Sequence, residues 1–307
     1  MVLVARPSRG EIQPADRIEG ARRAAAWSAV ARRQLPPTVV FGTIALYLVL
    51  PMLAVVLYSL ATRWTAHILP DGYTLDHWIT AITDARVQAA FARSISLATA
   101  VVAIDVAVVL PATYWARVRN PRIRTLVEVA AVVPFALPYV VIAFGILRLT
   151  GEIAPFAQNT GWLLALAHAA VAFPFLYWAL DGAMAAANVE QLSEAAETCG
   201  ARPWQIIWRV VVPNVKSGLL TGGILVFATS FNEFALAQIL AGAAFETVPL
   251  WTNEALGKTI GKFNELAVVT AVTFALLFGL SAAVVYWNRA QTLRLLPGAR
   301  AMEQRQL

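Results

Sequence analysis

Residues 188–213 read Asn-Val-Glu-Gln-Leu-Ser-Glu-Ala-Ala-Glu-Thr-Cys-Gly-Ala-Arg-Pro-Trp-Gln-Ile-Ile-Trp-Arg-Val-Val-Val-Pro, a polar segment between two apolar blocks that are each long enough to cross a membrane. Glu190, Glu194 and Glu197 recur at i, i+4 and i+7, so they predict an acidic stripe on one face of a short helix. The opposite face of that helix is apolar and carries Val189, Leu192, Ala196 and Cys199.

The segment contains signals for two short helices joined at a glycine. Asn188 with Gln191 predicts a capping box at the start of the first helix, and Gly200 predicts the turn at its end. Pro203 is well placed to begin the second helix, which Pro213 is predicted to end. The apolar stripe of this helix consists of Trp204, Ile207, Trp208 and Val211, with Arg202, Gln205 and Arg209 opposite. The pattern is typical of an element to which another protein docks, whereas a loop lying on lipid headgroups would leave the acidic stripe unexplained.

The same segment closely resembles the EAA loop of ABC-importer permeases, whose pattern is Glu-Ala-Ala, three residues, Gly, nine residues, Ile, one residue, Leu-Pro. The matching positions are Glu194, Ala195, Ala196, Gly200, Val210, Val212 and Pro213, with valine in place of isoleucine and leucine. The resemblance implies coupling to an ATPase through Glu190, Glu194, Ala195, Ala196, Glu197, Gly200 and Pro213. It also implies a second permease subunit, two cytoplasmic ATPase subunits and an extracytoplasmic solute-binding protein as partners. ATP and magnesium would bind to the ATPases, and this chain would bind no cofactor itself.

The composition predicts a protein that uses the bilayer as its solvent. The chain has 307 residues, of which 59% are hydrophobic and only 14% charged, while a soluble domain carries about a quarter charged residues. Cys199 is the single cysteine, which excludes an internal disulfide framework. The net charge of +6 comes from basic residues that flank the apolar segments, so membrane orientation explains it better than nucleic-acid binding does.

Six apolar segments approach or exceed the roughly 20 residues that a spanning helix needs. They are about 38–60, 91–115, 125–149, 161–183, 218–242 and 266–287. The first is too long, and its polar lead too extended, for a secretory signal, so we expect it to be retained. The resemblance implies that this first helix, 38–60, packs peripherally and that five helices within 90–287 form the permease core. We expect a basic cytoplasmic segment, 1–37, and a cytoplasmic tail, 288–307, to flank them.

Arginine and lysine alternate between the connections, which predicts the orientation. The 116–124 connection packs Arg117, Arg119, Arg122 and Arg124 into nine positions, whereas the 150–160 connection has no lysine or arginine. The bias predicts that both termini and the 188–213 loop are cytoplasmic. The fold class is therefore an all-α polytopic membrane protein with six transmembrane helices, similar to the type I ABC importer permease fold, in the cytoplasmic (inner) membrane.

Polar groups inside the predicted spans are candidates for the solute pathway, because ionisable residues are costly there. Glu233 lies about 15 residues, hence roughly 22 Å, into the predicted fifth span. Together with Ser230 and Asn232 it resembles a Ser-Phe-Asn/Asp-Glu/Asp cluster of the polyamine-type branch of these permeases. Pro138 and Tyr139 lie where prolines are predicted to break the third span, in a sequence also similar to that branch. A helix-packing hydrogen bond at Glu233 and an ordinary proline kink are the alternatives.

Asp105 in the second predicted span is expected to be structural, with a basic partner near the inner face, and Glu128 is expected to form a local ion pair. No motif predicts catalysis: Gly257-Lys258-Thr259 resembles the end of a phosphate-binding loop, but Thr252 stands where that loop needs glycine. The Gly218-x-x-x-Gly222 spacing predicts close helix packing, either at a subunit interface or within the bundle.

The sequence thus predicts a permease subunit of an ABC importer rather than an enzyme. Glu233 at membrane depth favours a cationic or zwitterionic solute such as a polyamine, and similar permeases handle ferric ion, thiamine and aminophosphonates. An ion-coupled secondary transporter that uses Glu233 and Asp105 is the alternative, but the two halves of the chain lack a convincing inverted repeat. A membrane scaffold without transport would leave Glu233 unexplained.

The orientation predicts which positions a membrane-impermeant thiol reagent can reach from outside. Cysteine at position 71 should react in intact cells, and cysteine at position 119 or 300 should react only after permeabilisation, because the positive-inside bias places these two on the cytoplasmic side. Labelling of position 119 from outside would overturn the orientation.

Overall fold

A computed structural model describes residues 37–64, 67–258 and 262–295, and these residues are almost entirely helical. The predictions for 1–36 and 296–307 lie outside the described residues. Eleven helices are numbered here: α1 Pro37–Leu60, α2 Asp76–Thr83, α3 Ala85–Val118, α4 Pro121–Ala136, α5 Tyr139–Ile153, α6 Gly161–Ala186, α7 Val189–Thr198, α8 Pro203–Asn232, α9 Ala235–Leu240, α10 Val248–Lys258 and α11 Phe263–Leu295. Short 3₁₀ turns lie at Pro155–Ala157 and Gly242–Phe245.

The chain divides into two compact units, the first ending at Ala54 and the second beginning at Val55. In the first unit the described residues are helical from Pro37 onward, and α1 has a mean hydropathy of 2.5. The second unit contains α2 to α11, together with every feature of the site described below. The proposed division into a peripheral span and a core at 90–287 stays a prediction.

Five described helices are long and apolar enough to cross a membrane, and the pair α4–α5 makes a sixth if it counts as one span. The two helices of this pair meet at Leu137 and Pro138 with a bend of 103°. The predicted break in the third span is therefore confirmed. Its cause is local, because Pro138 has no N–H to donate and disfavours helical dihedrals at Leu137, which is extended.

The predicted bounds of the fifth span, 218–242, are wrong at both ends. Helix α8 begins at Pro203 and ends at Asn232, so the amphipathic part of the loop and the span are one helix. Pro213 does not end the helix, because a π-helical turn at Ile207–Val211 precedes it and the N–H of Val212 bonds to the carbonyl of Ile207. Glu233 consequently lies just beyond the end of the helix rather than 15 residues into it.

Helix α6 is the centre of the second unit. In its most apolar 18-residue window 67% of residues are buried, whereas the windows of α3, α8 and α11 have 33%, 28% and 17%. It packs against α3 and α8, and its buried side chains include Leu164, Leu176, Tyr177 and Leu180. A helix that is apolar all round and surrounded by others is the expected core of a bundle.

Two glycines allow α8 to approach α6 closely. A Cβ atom on Gly218 would lie 2.7 Å from the carbonyl oxygen of Ala179, and one on Gly222 would lie 2.9 Å from the Cα atom of Leu176. Both obstacles are backbone atoms, which cannot move aside cheaply. The Gly218-x-x-x-Gly222 spacing therefore serves the packing inside the bundle, one of the two alternatives that the sequence left open.

We predict that Gly222→Ala lowers the thermal stability of the purified protein, whereas Gly223→Ala does not. Overpacking costs about 1–3 kcal/mol, which exceeds the helix-propensity gain of about 1 kcal/mol. A Cβ atom on Gly223 would instead meet Val102 Cγ1 at 3.6 Å, an ordinary contact. Melting of the two variants in detergent, followed by size-exclusion chromatography, checks this. A melting temperature for Gly222→Ala at or above that of Gly223→Ala would contradict the packing argument.

Candidate functional site

The loop of residues 188–213 begins where α6 ends. Asn188 adopts a left-handed conformation with φ 48° and α7 follows at once. At the other end Gly200 has φ 80°, its N–H donates to the carbonyl of Glu197, and the N–H of Ala201 donates to that of Ala196. These two bonds define a Schellman motif, so the predicted glycine turn is confirmed. The predicted capping box is wrong, because the left-handed Asn188 makes no side-chain cap.

The three glutamates of the acidic stripe have different surroundings. Glu190 Oε1 lies 2.8 Å from Arg117 Nε, and Glu197 pairs with Arg119. Glu194 is exposed and forms no ion pair in the described part of the chain. Ala195 beside it is also exposed, whereas Val189 and Ser193 on the far side of α7 are buried. The middle of the stripe is thus open to a partner, and its two ends are held by this chain.

The first turns of α8 present a second exposed surface. Trp204 and Trp208 are 65% and 48% exposed, and their rings pack edge to face with centroids 5.4 Å apart. Arg202 and Arg209 are exposed nearby. Ile206, Ile207 and Val211 hold this part of the helix to the core. Pro213 is exposed at the end of the loop.

A group of charged side chains that we call the arginine corner connects the loop to the turn between α3 and α4. It consists of Arg117, Arg119 and Arg124 together with Asp181 near the end of α6. Arg117 pairs with Asp181 Oδ1 and also donates to the Asp181 carbonyl at 3.2 Å, and Arg124 Nη2 lies 3.3 Å from Asp181 Oδ2. The predicted local pair of Glu128 is confirmed, since Glu128 Oε1 lies 3.0 Å from Arg124 Nε. The positive-inside argument found these arginines but missed their common partner, Asp181, although a carboxylate in a predicted span was the available signal.

Glu233 lies in the break between α8 and α9 and is 7% exposed. Its Oε1 accepts from the N–H groups of Ala235 and Leu236 at 2.8 and 3.0 Å, and its Oε2 from those of Leu236 and Ala237 at 2.9 and 3.2 Å. A carboxylate in this position satisfies the free donors at the start of a helix. Each carboxylate oxygen therefore already has backbone partners.

His168 of α6 completes this buried cluster. Its Nε2 lies 3.3 Å from Glu233 Oε2, and its Nδ1 lies 2.9 Å from Ser230 Oγ. Nδ1 is thus within hydrogen-bond distance of the serine hydroxyl, whereas Nε2 lies close to the carboxylate without the geometry of a hydrogen bond. In the sequence His168 has no ligand spacing with cysteine or acidic residues, and its contact with Ser230 could not be found without the fold, because 62 residues separate the two.

The other predicted pathway residues surround this cluster to different degrees. Tyr139 is partly buried against the core at the start of α5, which packs against α9, while Pro138 is exposed at the bend. Asn232 is exposed and lines a cavity of about 340 Å³ with Phe234, Thr252 and Asn253. Asp105 is not part of the cluster: it is buried in α3, its Oδ2 has no hydrogen-bond partner, and no described basic residue pairs with it. The lining of a solute pathway stays a prediction for five residues: Ser230, Asn232, Glu233, Pro138 and Tyr139.

Among the residues that the structure describes, no group of three or more His, Cys, Asp or Glu side chains could hold a metal ion.

Known proteins resemble this chain over most of the second unit. The family described as "Binding-protein-dependent transport system inner membrane component" matches residues 108–295. The molybdenum transport system permease protein ModB of Mycobacterium tuberculosis is 33% identical over 55% of this chain and 69% of its own length. The putative 2-aminoethylphosphonate transport system permease protein PhnV of Salmonella typhimurium is 25% identical over 66% of this chain and 75% of its own. The sulfate transport system permease protein CysW of Synechocystis is 32% identical over 37% of this chain and 44% of its own.

A solved structure shares the fold. It is a bacterial ABC transporter involved in the import of the acidic polysaccharide alginate, and one of its chains matches 91% of this chain with a TM-score of 0.60 and 17% identity. The match covers 99% of that chain.

Because Glu233 caps α9, we predict that Glu233→Leu destabilises the assembled protein more than Glu233→Gln does. Leucine leaves buried N–H groups without an acceptor, at about 1–3 kcal/mol, while glutamine keeps one acceptor oxygen. Solute uptake per assembled complex should stay near that of the parent in the Gln variant. Melting temperature and uptake, measured side by side, check this. A Gln variant that assembles normally but fails in uptake would instead support a pathway role for the charge.

Proposed function

Because the family match covers residues 108–295, the chain belongs to the inner membrane components of binding-protein-dependent transport systems, and we propose that its 188–213 loop couples ATP hydrolysis in partner subunits to solute import. The observation that carries the proposal is the acidic stripe of α7. Its middle member, Glu194, is exposed and unpaired in the described part of the chain, while Glu190 and Glu197 are held by arginines of the same chain. The exposed carboxylate of Glu194 is therefore available to a partner, on a helix whose neighbouring glutamates are paired within this chain.

The surface around Glu194 supports an ATPase as that partner. Exposed Trp204 and Trp208 offer apolar area beside the charges of Arg202 and Arg209, and aromatic and arginine side chains are enriched at protein interfaces. The complex would contain a second permease subunit, two cytoplasmic ATPases that bind ATP and magnesium, and an extracytoplasmic solute-binding protein. Both termini and the loop would be cytoplasmic in the inner membrane.

The coupling would work as a two-state process biased by nucleotide. Closure of the ATPases would displace α7, and the bundle would change from an inward-facing to an outward-facing pathway. An ion-coupled secondary transporter is the alternative that the sequence left open, and it would not explain the exposed surface of the loop. Of the two carboxylates that it would use, Glu233 already accepts hydrogen bonds from backbone N–H groups. The other, Asp105, is buried in α3 and does not belong to the Glu233 cluster.

For the solute we propose a small oxyanion or phosphonate. The relatives named above are permeases of molybdenum, sulfate and 2-aminoethylphosphonate systems. A polyamine remains the competing prediction, and it rests on the charge of Glu233. That charge already faces three backbone N–H groups and His168, which weakens its attraction for a cation in the pathway.

The experiment is ATP-driven uptake by proteoliposomes that contain the chain with its partner subunits and binding protein. Labelled molybdate, sulfate, 2-aminoethylphosphonate and spermidine are supplied in turn, and we expect uptake of one of the first three. Glu194→Lys should abolish uptake while the protein remains inserted, because it reverses the exposed charge of the docking surface. Gly200→Val should do the same, since a non-glycine residue in the left-handed region costs about 1–2 kcal/mol and β-branching adds to it.

Matched variants separate coupling from general damage. Glu152→Lys reverses an exposed charge outside the loop, where only a surface pair with Arg148 is lost, and should transport normally. Gly200→Asn should be milder than Gly200→Val, because asparagine tolerates positive φ. Wild-type ATPase co-purification together with unchanged uptake in Glu194→Lys would count against the docking role. Uptake of spermidine and of none of the other three solutes would contradict the oxyanion proposal.

A further inference from the structure

The arginine corner attaches α7 to the end of α3 at two separate points. Glu190 and Glu197 are seven residues apart, so their Cα atoms lie roughly 10 Å apart along the helix axis. Arg117 Nε forms an ion pair with the first at 2.8 Å without hydrogen-bond geometry, and Arg119 donates a hydrogen bond to the second. One ion pair would leave a helix free to pivot about it, whereas two along its length determine both its position and its direction.

Asp181 extends the same attachment to two more helices. One of its carboxylate oxygens pairs with Arg117 at the end of α3, and the other lies near Arg124 in the first turn of α4. The Arg117 side chain is only 10% exposed, so salt screens these interactions less than it screens surface pairs. The ends of α3 and α6, the start of α4 and the whole of α7 therefore share one network of charges.

We propose that the arginine corner makes α7 and the α3–α4 turn one rigid body, so that a displacement of α7 passes directly into α4. This inference rests on the proposed coupling function of the loop, and it assigns Arg117 as the positioning residue. Helix α4 leads from the corner to the bend at Leu137 and Pro138. Beyond the bend α5 packs against α9, the helix whose first turn Glu233 caps. A motion of the loop would thus reach the far end of the bundle through α4, α5 and α9.

The first test compares Arg117→Gln with Arg122→Gln in the reconstituted complex. Arg122 lies in the same turn, is exposed and has no ion pair within the described residues, so both variants remove the same charge from the same connection. For Arg117→Gln the solute imported per ATP hydrolysed should fall roughly fivefold or more, the lower range of coupling between sites in proteins. Complex yield and ATP hydrolysis should stay near those of Arg122→Gln. Equal coupling ratios in the two variants would overturn the proposal.

The second test replaces the Arg119–Glu197 pair with a covalent link. Arg119→Cys and Glu197→Cys are combined with Cys199→Ser, because Cys199 is exposed and would react. A short bismaleimide then joins the two cysteines in the assembled complex. If α7 and the corner move as one body, the linked complex imports solute and its coupling ratio rises above that of the unlinked variant. If α7 must move against the corner, linking stops uptake, and the proposal fails.

The two tests distinguish this inference from the proposed function of the loop. If the loop does not dock an ATPase, the Glu194→Lys variant transports normally, whatever coupling ratio is measured for Arg117→Gln. If the loop docks but the corner is not rigid, Glu194→Lys fails while Arg117→Gln keeps the coupling ratio of Arg122→Gln. Measurement of ATP hydrolysis and uptake on the same vesicles gives both answers.

Discussion

A membrane protein has to satisfy the hydrogen bonds of its own backbone wherever a helix breaks, because the hydrocarbon region supplies no water. This chain breaks helices at Leu137–Pro138 and between Asn232 and Ala235. Proline reduces the problem at the first break, since Pro138 has no N–H to satisfy. At the second break the carboxylate of Glu233 accepts from three successive N–H groups, and His168 Nε2 lies 3.3 Å from it. The helices that follow the two breaks, α5 and α9, pack against each other.

The bundle can carry these breaks because its centre is closely packed. Gly218 and Gly222 bring α8 against the backbone of α6, and that approach brings Ser230 within 2.9 Å of His168. Without a hydrophobic force between helices in lipid, such close contact and a few buried polar bonds provide much of the specificity. The packing of small residues at one level and the His168–Glu233 contact at another are therefore parts of the same helix pair.

The sequence could predict the features whose signals are local. The turn at Gly200 follows from one glycine at the end of an amphipathic helix, and the break at Pro138 from a proline within an apolar run. The family followed from the spacing around Glu194, which the match over 108–295 confirms. The bounds of α8 could not be predicted in this way, because a proline such as Pro213 usually ends a helix. A pattern search that assumes 3.6 residues per turn also does not detect the π-helical turn before it. The ion pairs of the arginine corner join residues 57 to 78 positions apart, so no short-range pattern reports them.

The acidic stripe shows how tertiary packing divides equivalent residues into different roles. Three glutamates on one helix face have the same chemistry, yet Arg117 and Arg119 neutralise the first and last while the middle one stays exposed. Ion pairs at both ends keep the unpaired carboxylate in a definite place, which lowers the entropy that a partner must remove on binding. A stripe with three free glutamates would attract a basic surface more strongly but would leave α7 free to turn when that surface moved. Under the proposed coupling function, the arrangement favours transmission of force over affinity.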